Sequence, residues 1–219
     1  MKLATKKNGF SYTSLAGITA PVLFTTMTLV CSTLRPGYDH LNQFISELGA
    51  TGSSHADLMN FAGFIPSGLL MAIFGVALLK LLPRNILTRI GAALIILFGV
   101  GVIIAGSFSC DPGCPQRGGS FENSVHDGIS GPAFLSATTG ILLFGISFRT
   151  LSAWKGLWIY SLVSALLSYG FIMLLVSSLD SRVLTGLWQR LLLATIFLWC
   201  GIVAIKIFNS ENRPDQSGR

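Results

Sequence analysis

The chain has 219 residues, 51% of them hydrophobic and 11% charged, with a formal net charge of +6. A soluble domain carries about 25% charged residues, so this balance excludes an ordinary water-soluble fold and indicates a multi-span membrane protein. Four cysteines, at 31, 110, 114 and 200, are too few and too scattered for a disulfide scaffold.

Residues 1–12, with Lys2, Lys6 and Lys7, read as a cytoplasmic N-terminal segment. Residues 13–208 read as one six-span membrane domain, and 209–219 as a disordered cytoplasmic tail. The first apolar run, Thr13 to Leu34, is longer than the core of a signal peptide and lacks a small-x-small cleavage site. It is read as an uncleaved span.

The next stretch, "YDHLNQFISELG" (38–49), is polar and lies between two apolar runs. Leu41, Phe44, Ile45 and Leu48 fall at i, i+3, i+4 and i+7, with Gly49 where a helix ends. This predicts a helix of about three turns in the membrane interface. Its polar face carries Asp39, His40, Asn42, Gln43, Ser46 and Glu47, and turns either to solvent or toward the mouths of the other helices.

Span two is expected from Leu58 to Leu82, with Ser54 and Asp57 resembling a cap at its start, His55 near the headgroups and Asn60 slightly deeper. Span three is expected from Thr88 to Phe108. The loop after it, "CDPGC", has a turn signal between Cys110 and Cys114, which suits either a small disulfide loop or free thiols. Span four is expected from His126 to Phe148. Asp127 near a helix start is favoured by the helix dipole, while His126 is a candidate base or ligand. Neighbours on a helix diverge by about 100°, so an acid from another loop, such as Asp39 or Asp111, would orient His126 better than Asp127. Spans five and six are expected from Trp154 to Ser178 and from Gly186 to Phe208, the last opened by Trp188-Gln189-Arg190. Arg190 either snorkels to the interface or meets a carboxylate or phosphate.

With the N-terminus inside, eleven basic residues fall inside (Lys2, Lys6, Lys7, Lys80, Arg84, Arg89, Arg149, Lys155, Lys206, Arg213 and Arg219). Four, Arg35, Arg117, Arg182 and Arg190, fall outside. This is the positive-inside bias of a cell (inner or plasma) membrane protein with both termini cytoplasmic. The basicity is thereby a topology signal and no mark of a nucleic-acid partner. Seven acids and all three histidines fall on the opposite, outer side. No Asp, Glu, Lys or His sits at mid-membrane depth, which argues against charge-coupled transport.

"RPGYDHLNQFISELGA", "FSCD" and "VHD" together resemble the domain-of-unknown-function 998 family, multi-pass membrane proteins of bacteria and archaea. The likeness covers roughly residues 13 to 208. It implies polar motifs gathered on one side of the membrane and no established activity. The positions matching those motifs are Asp39, Ser46, Glu47, Asp111, His126 and Asp127.

The expected architecture is an all-α, six-helix transmembrane bundle with a short extracytoplasmic interfacial helix. Asp39, Glu47, Asp111, His126 and Asp127 are candidate catalytic residues or metal ligands, with Ser46 beside them; His40, Gln43 and Arg190 are candidate substrate contacts. The functional expectation is a hydrolase or transferase acting on lipid. The alternative is a small-solute transporter or channel, or a lipid-binding accessory protein. Membrane lipids are the expected partners, with a lipid or small molecule as substrate. Metal, cofactor and protein partners are left open.

Overall fold

Along six apolar runs the backbone has no water to hydrogen-bond, so each run closes its own N–H and C=O groups as a helix. The computed structural model describes residues 9–211, and among them no strand occurs. The helices are α1 (Ala16–Leu34), α2 (Ile65–Leu81), α3 (Ile86–Ser107), α4 (Phe121–Phe148), α5 (Trp158–Ser177) and α6 (Thr185–Glu211). All six, with their leading turns, are long and apolar enough to cross a bilayer. The 22 residues of α3 alone extend about 33 Å at 1.5 Å per residue. This is a multi-pass membrane protein. The expected N-terminal segment, with Lys2, Lys6 and Lys7, and most of the expected tail lie outside the described residues.

Consecutive helices are neighbours and α6 returns to α1, so the six form a closed ring, with α6 also touching α4. Loops 35–57, 108–120 and 178–184 cluster at one end, which is rich in acids; loops 82–85 and 149–157 lie at the other, basic end. The α2–α3 seam depends on small residues. A Cβ added at Gly99 would stand 2.5 Å from the backbone nitrogen of Ala72 and 2.6 Å from the Gly68 carbonyl oxygen. Lipid tails are as apolar as leucine, so tight van der Waals contact of this kind replaces the hydrophobic drive of a soluble core. Large apolar side chains such as Phe61, Leu69, Leu97, Leu166 and Leu198 face outward instead.

Three local departures from ideal helix position the acid-rich end. Before Pro66, residues Leu58–Phe64 form a π-helical turn, in which the Ile65 N–H reaches back five residues to the Asn60 carbonyl. That wide turn presents the Asn60 side chain to the Gly49 carbonyl at 2.9 Å and to Ser109 Oγ at 3.0 Å. No side chain caps this turn, so Ser54 and Asp57 do not form the expected cap. Second, α4 begins five residues before the expected start at His126, because Ser120 accepts from the Asn123 N–H at 3.1 Å. Third, Pro132 interrupts α4 deeper in the bundle.

Toward the basic end the bundle axis is filled by rings. Phe144 lies 5.3 Å from Trp199 and 5.7 Å from Phe148, and Phe148 stacks on Trp154 at 4.9 Å. All four are buried. The Trp199 indole N–H donates to Ser161 Oγ at 2.9 Å, which satisfies its one polar atom.

Candidate functional site

The polar loop after α1 does not form the expected three-turn helix. It makes one turn closed by Gln43 N–H to Asp39 C=O (2.9 Å), becomes extended at Phe44, and ends in a five-residue 3-10 helix, Ile45–Gly49. The reason is long-range. The first N–H groups of α6 lack partners within their helix, and the loop supplies one: Leu187 N–H donates to the Leu41 carbonyl at 2.9 Å, while just before the helix Leu184 N–H donates to Asn42 Oδ1 at 2.8 Å. A continuous helix would have consumed the Leu41 carbonyl. Gln189 Oε1 in turn accepts from the Ile45 N–H at 2.8 Å. Gly186 permits the approach, since a Cβ there would lie 2.3 Å from the Gln43 carbonyl oxygen and 2.7 Å from that of His40.

Most of the predicted polar residues of this loop are spent holding it. Asp39 is exposed and accepts from Leu41 N–H (2.8 Å) and Asn42 Nδ2 (2.6 Å). Those bonds, the Asn42 one foremost, hold its carboxyl below the usual carboxylate range. Gln43 accepts from the Asp39 N–H through Oε1 at 2.8 Å and donates from Nε2 to Glu47 at 2.7 Å. Glu47 is buried, reaches back to the Phe44 N–H at 3.1 Å, and its carbonyl accepts from Arg35. Arg190 donates to the Gln43 and Gly186 carbonyls at 3.0 and 2.9 Å and to the Tyr38 hydroxyl at 2.7 Å. His40 packs edge-on to Tyr38, and burial followed by the charge of Arg190 lowers its pKa.

Asp111 behaves in the same way in the loop before α4. It accepts from the Ser120 N–H at 2.7 Å and from Ser120 Oγ at 2.8 Å, while Asn123 ties the loop to the Pro115 and Gly118 carbonyls. Cys110 and Cys114 form a disulfide. Arg182, from the α5–α6 loop, clamps this ring: it donates to the Gly113 and Cys114 carbonyls at 3.0 and 2.8 Å and lies over the Phe44 ring at 4.7 Å.

His126 is different. It is 6% exposed, and its Nδ1 lies 2.9 Å from both the Ala105 and Phe108 carbonyl oxygens at the end of α3. Carbonyls only accept, so Nδ1 carries a hydrogen, and in the neutral ring Nε2 then presents a lone pair. No described residue hydrogen-bonds Nε2. The ring lines two adjoining cavities. The outer one, about 240 Å³, is walled by Ser46, Asp127, Ser130, Gln189 and the disulfide. The inner one, about 60 Å³, lies at the centre of the bundle among Phe24, Phe64, Met71, Phe98, Phe134 and Phe197. Ser46, His126, Ser130, Phe134 and Gln189 belong to both and form the neck between them. Ser67 lines the inner chamber, 4% exposed, with its hydroxyl unpartnered.

Of the predicted residues, then, Ser46, His126 and Asp127 share a cavity, whereas the carboxylates of Asp39, Glu47 and Asp111 are turned to their own loops. The expected convergence of Asp39, Glu47, Asp111 and His126 is not formed, and no three His, Cys, Asp or Glu among the described residues are grouped to hold a metal ion.

A family model described as "Protein of unknown function (DUF998)" matches residues 18–206. The chain belongs to that family. No curated protein and no solved structure matches it at a significant level. The DUF998 match takes in α1 to most of α6, and so every wall of both cavities.

In this DUF998 chain, sequence reasoning missed Ser67, Ser130, Gln189, Tyr38 and Arg182. The "WQR" at the head of α6 held a signal for Gln189: an amide just inside a span requires a partner. Ser67 and Ser130 look like ordinary small residues of packed helices, and only the fold sets them on a cavity.

Proposed function

We propose that this protein is a lipid-modifying enzyme, a hydrolase or transferase, that holds the polar end of an amphipathic molecule at the His126 neck and apolar atoms in the inner chamber. The observation that carries the reading is the unpartnered Nε2 of a buried histidine whose Nδ1 is locked by two helix-end carbonyls. A lone pair fixed in this way suits a general base. No described serine, threonine or cysteine donates to it, so the base acts on water or on a lipid hydroxyl directly. Nε2 takes that proton as the oxygen attacks an ester or phosphoester centre, and returns it to the departing alcohol. The charge bias of the loops supports an outward-facing site, with membrane lipid as the source of substrate.

A second reading, a lipid-binding accessory protein without chemistry, is favoured by one observation: the Ser130 hydroxyl, one turn along the helix and on the same cavities, donates to the His126 carbonyl at 2.7 Å. The aromatic column toward the basic end speaks against an open channel. The test is turnover of a total membrane lipid extract by the full chain reconstituted in vesicles, followed by mass spectrometry. Product formation abolished by His126→Asn, in a variant that remains folded, supports the enzyme. Bound lipid without product in the wild type supports the accessory role and ends the enzymatic one.

A further inference from the structure

The seam between neighbouring helices α1 and α6 is open on its lipid-facing side. The cause is visible in the residues. Pro21 interrupts α1, Ala194 is small, and a Cβ placed on Gly201 would meet no heavy atom within 4 Å. The result is a lateral groove in two joined parts. The part nearer the acid-rich end is about 270 Å³, and the part toward the basic end about 580 Å³; both are bordered by Thr25, Ala194 and Phe197. From Arg190 to Ile205, the groove residues nearest each end of α6, the helix rises about 22 Å, more than the roughly 15 Å depth of one hydrocarbon leaflet. The walls are apolar along nearly all of this length. The head of the groove is not: Arg190 and His40 border it there.

Arg190 has donors to spare. Its three protein bonds use both N–H groups of Nη1 and one of Nη2. A guanidinium has five N–H donors, so the Nε–H and one Nη2–H remain for an anion. The bonds to Gln43, Gly186 and Tyr38 hold the guanidinium in place before any anion arrives, which reduces the ordering cost of binding.

We propose that the α1–α6 groove is a binding site for a phosphate-headgroup membrane lipid, one acyl chain lying between α1 and α6 and the phosphate at Arg190 beside His40. Phe24 and Phe197, in edge-to-face contact at 5.4 Å, border both this groove and the His126 chamber with Ile45 and Leu193, whereas Arg190 and His40 border the groove alone. The site needs no chemistry at His126.

The test is native mass spectrometry of the full chain, delipidated in nonionic detergent and titrated with phosphatidylglycerol or with diacylglycerol of the same acyl chains. One phosphatidylglycerol is expected per chain, bound at least tenfold more tightly than diacylglycerol. Ala194→Trp, an exposed position that fills the groove, is expected to weaken it at least tenfold. Leu166→Trp, on the lipid-facing side of α5, is expected to leave it unchanged. His126→Asn is also expected to retain the lipid, which separates this site from the proposed reaction. Equal binding of the two lipids, undiminished binding by Ala194→Trp, or loss of the lipid in His126→Asn would each overturn the proposal.

Discussion

Arg190 Nη2 donates to the phenolic oxygen of Tyr38 at 2.7 Å across 152 residues of chain, and the Tyr38 hydroxyl passes its own hydrogen to the Phe44 carbonyl at 2.7 Å. The phenol is thus the relay between α6 and the loop that covers it. Tyr38→Phe leaves a guanidinium N–H and a carbonyl without their partner, and unpaired groups of this kind cost about 1–3 kcal/mol. A lower thermal midpoint is the expected result. Burial pushes the Tyr38 phenol above its usual range and the charge of Glu47 adds to this, against Arg190 and Arg35. A raised pKa means the neutral form is the one the fold stabilises. That contribution is complete below the usual phenol value near 10 and is lost as pH rises through the higher folded value. Alkaline unfolding should therefore be steeper in the wild type than in Tyr38→Phe, as read by circular dichroism against pH.

Gly186→Ala tests the same docking without removing a polar group. Its methyl would drive into two loop carbonyls that are fixed by backbone, not by a flexible side-chain end. A loss of about 1–3 kcal/mol is expected, the range for overpacked sites. Gly201→Ala, in the same helix but facing open space, should change stability by no more than about 1 kcal/mol, and in the favourable direction. Equal effects of the two substitutions would show that the loop does not rest on α6.

The spans were legible because length and hydropathy are local: the expected boundaries from 58 to 82 and from 13 to 34 fall within a few residues of Leu58–Leu81 and Ala16–Leu34. The start of α4 was misplaced because its first turn is polar, although Ser120 was readable as a cap. The loop around Asp39 misled for a deeper reason. Leu41, Phe44, Ile45 and Leu48 have helical spacing, yet the structure uses that apolar set otherwise, with Phe44, Ile45 and Leu48 buried and Leu41 half exposed. What decides the conformation is the unsatisfied start of α6, some 140 residues away, and no local pattern reports it. The clustering of acids at one end was likewise visible as a list but not as a geometry. The carboxylates of Asp39, Glu47 and Asp111 each found a backbone N–H close at hand, whereas the Nε2 of His126 faces a cavity without a partner.

Asp39 makes its contribution in its ionised form. Its carboxyl is held down by Asn42 and by the Leu41 N–H. A lowered pKa means the stabilisation is present above the usual value near 3.8 and is lost as pH falls through the lower folded value. Loop order should then decline under acid below about pH 4, and in Asp39→Asn that acid-dependent step should disappear. Hydrogen exchange of the Leu41 and Asn42 amides, followed against pH, measures it.

The disulfide closes a loop of sequence separation 4. Chain-entropy reasoning gives such a small ring about 2 kcal/mol, and Arg182 relies on it to hold the Gly113 and Cys114 carbonyls in line. Reduction should lower the thermal midpoint and free two thiols that maleimide reaches through the outer cavity they line. Cys31 and Cys200 are buried and should label only on denaturation. Two labels without reductant in the native protein would mean that the pair is not formed.

His126 has a structural half and a functional half, and the two can be separated. The Nδ1 half ties the end of α3 to α4 through the Ala105 and Phe108 carbonyls. His126→Ala removes the donor and leaves buried carbonyls unpaired, for an expected loss of about 1–3 kcal/mol. Asparagine places an amide N–H close to the position of Nδ1 and nothing at the position of Nε2. His126→Asn should therefore keep most of the stability that alanine loses. Any function that depends on the lone pair facing the neck should be lost equally in both. Thermal midpoints of the two variants, measured beside lipid turnover in vesicles, give the comparison. Activity retained in His126→Asn would remove Nε2 from the mechanism and leave His126 as the strut between two helices.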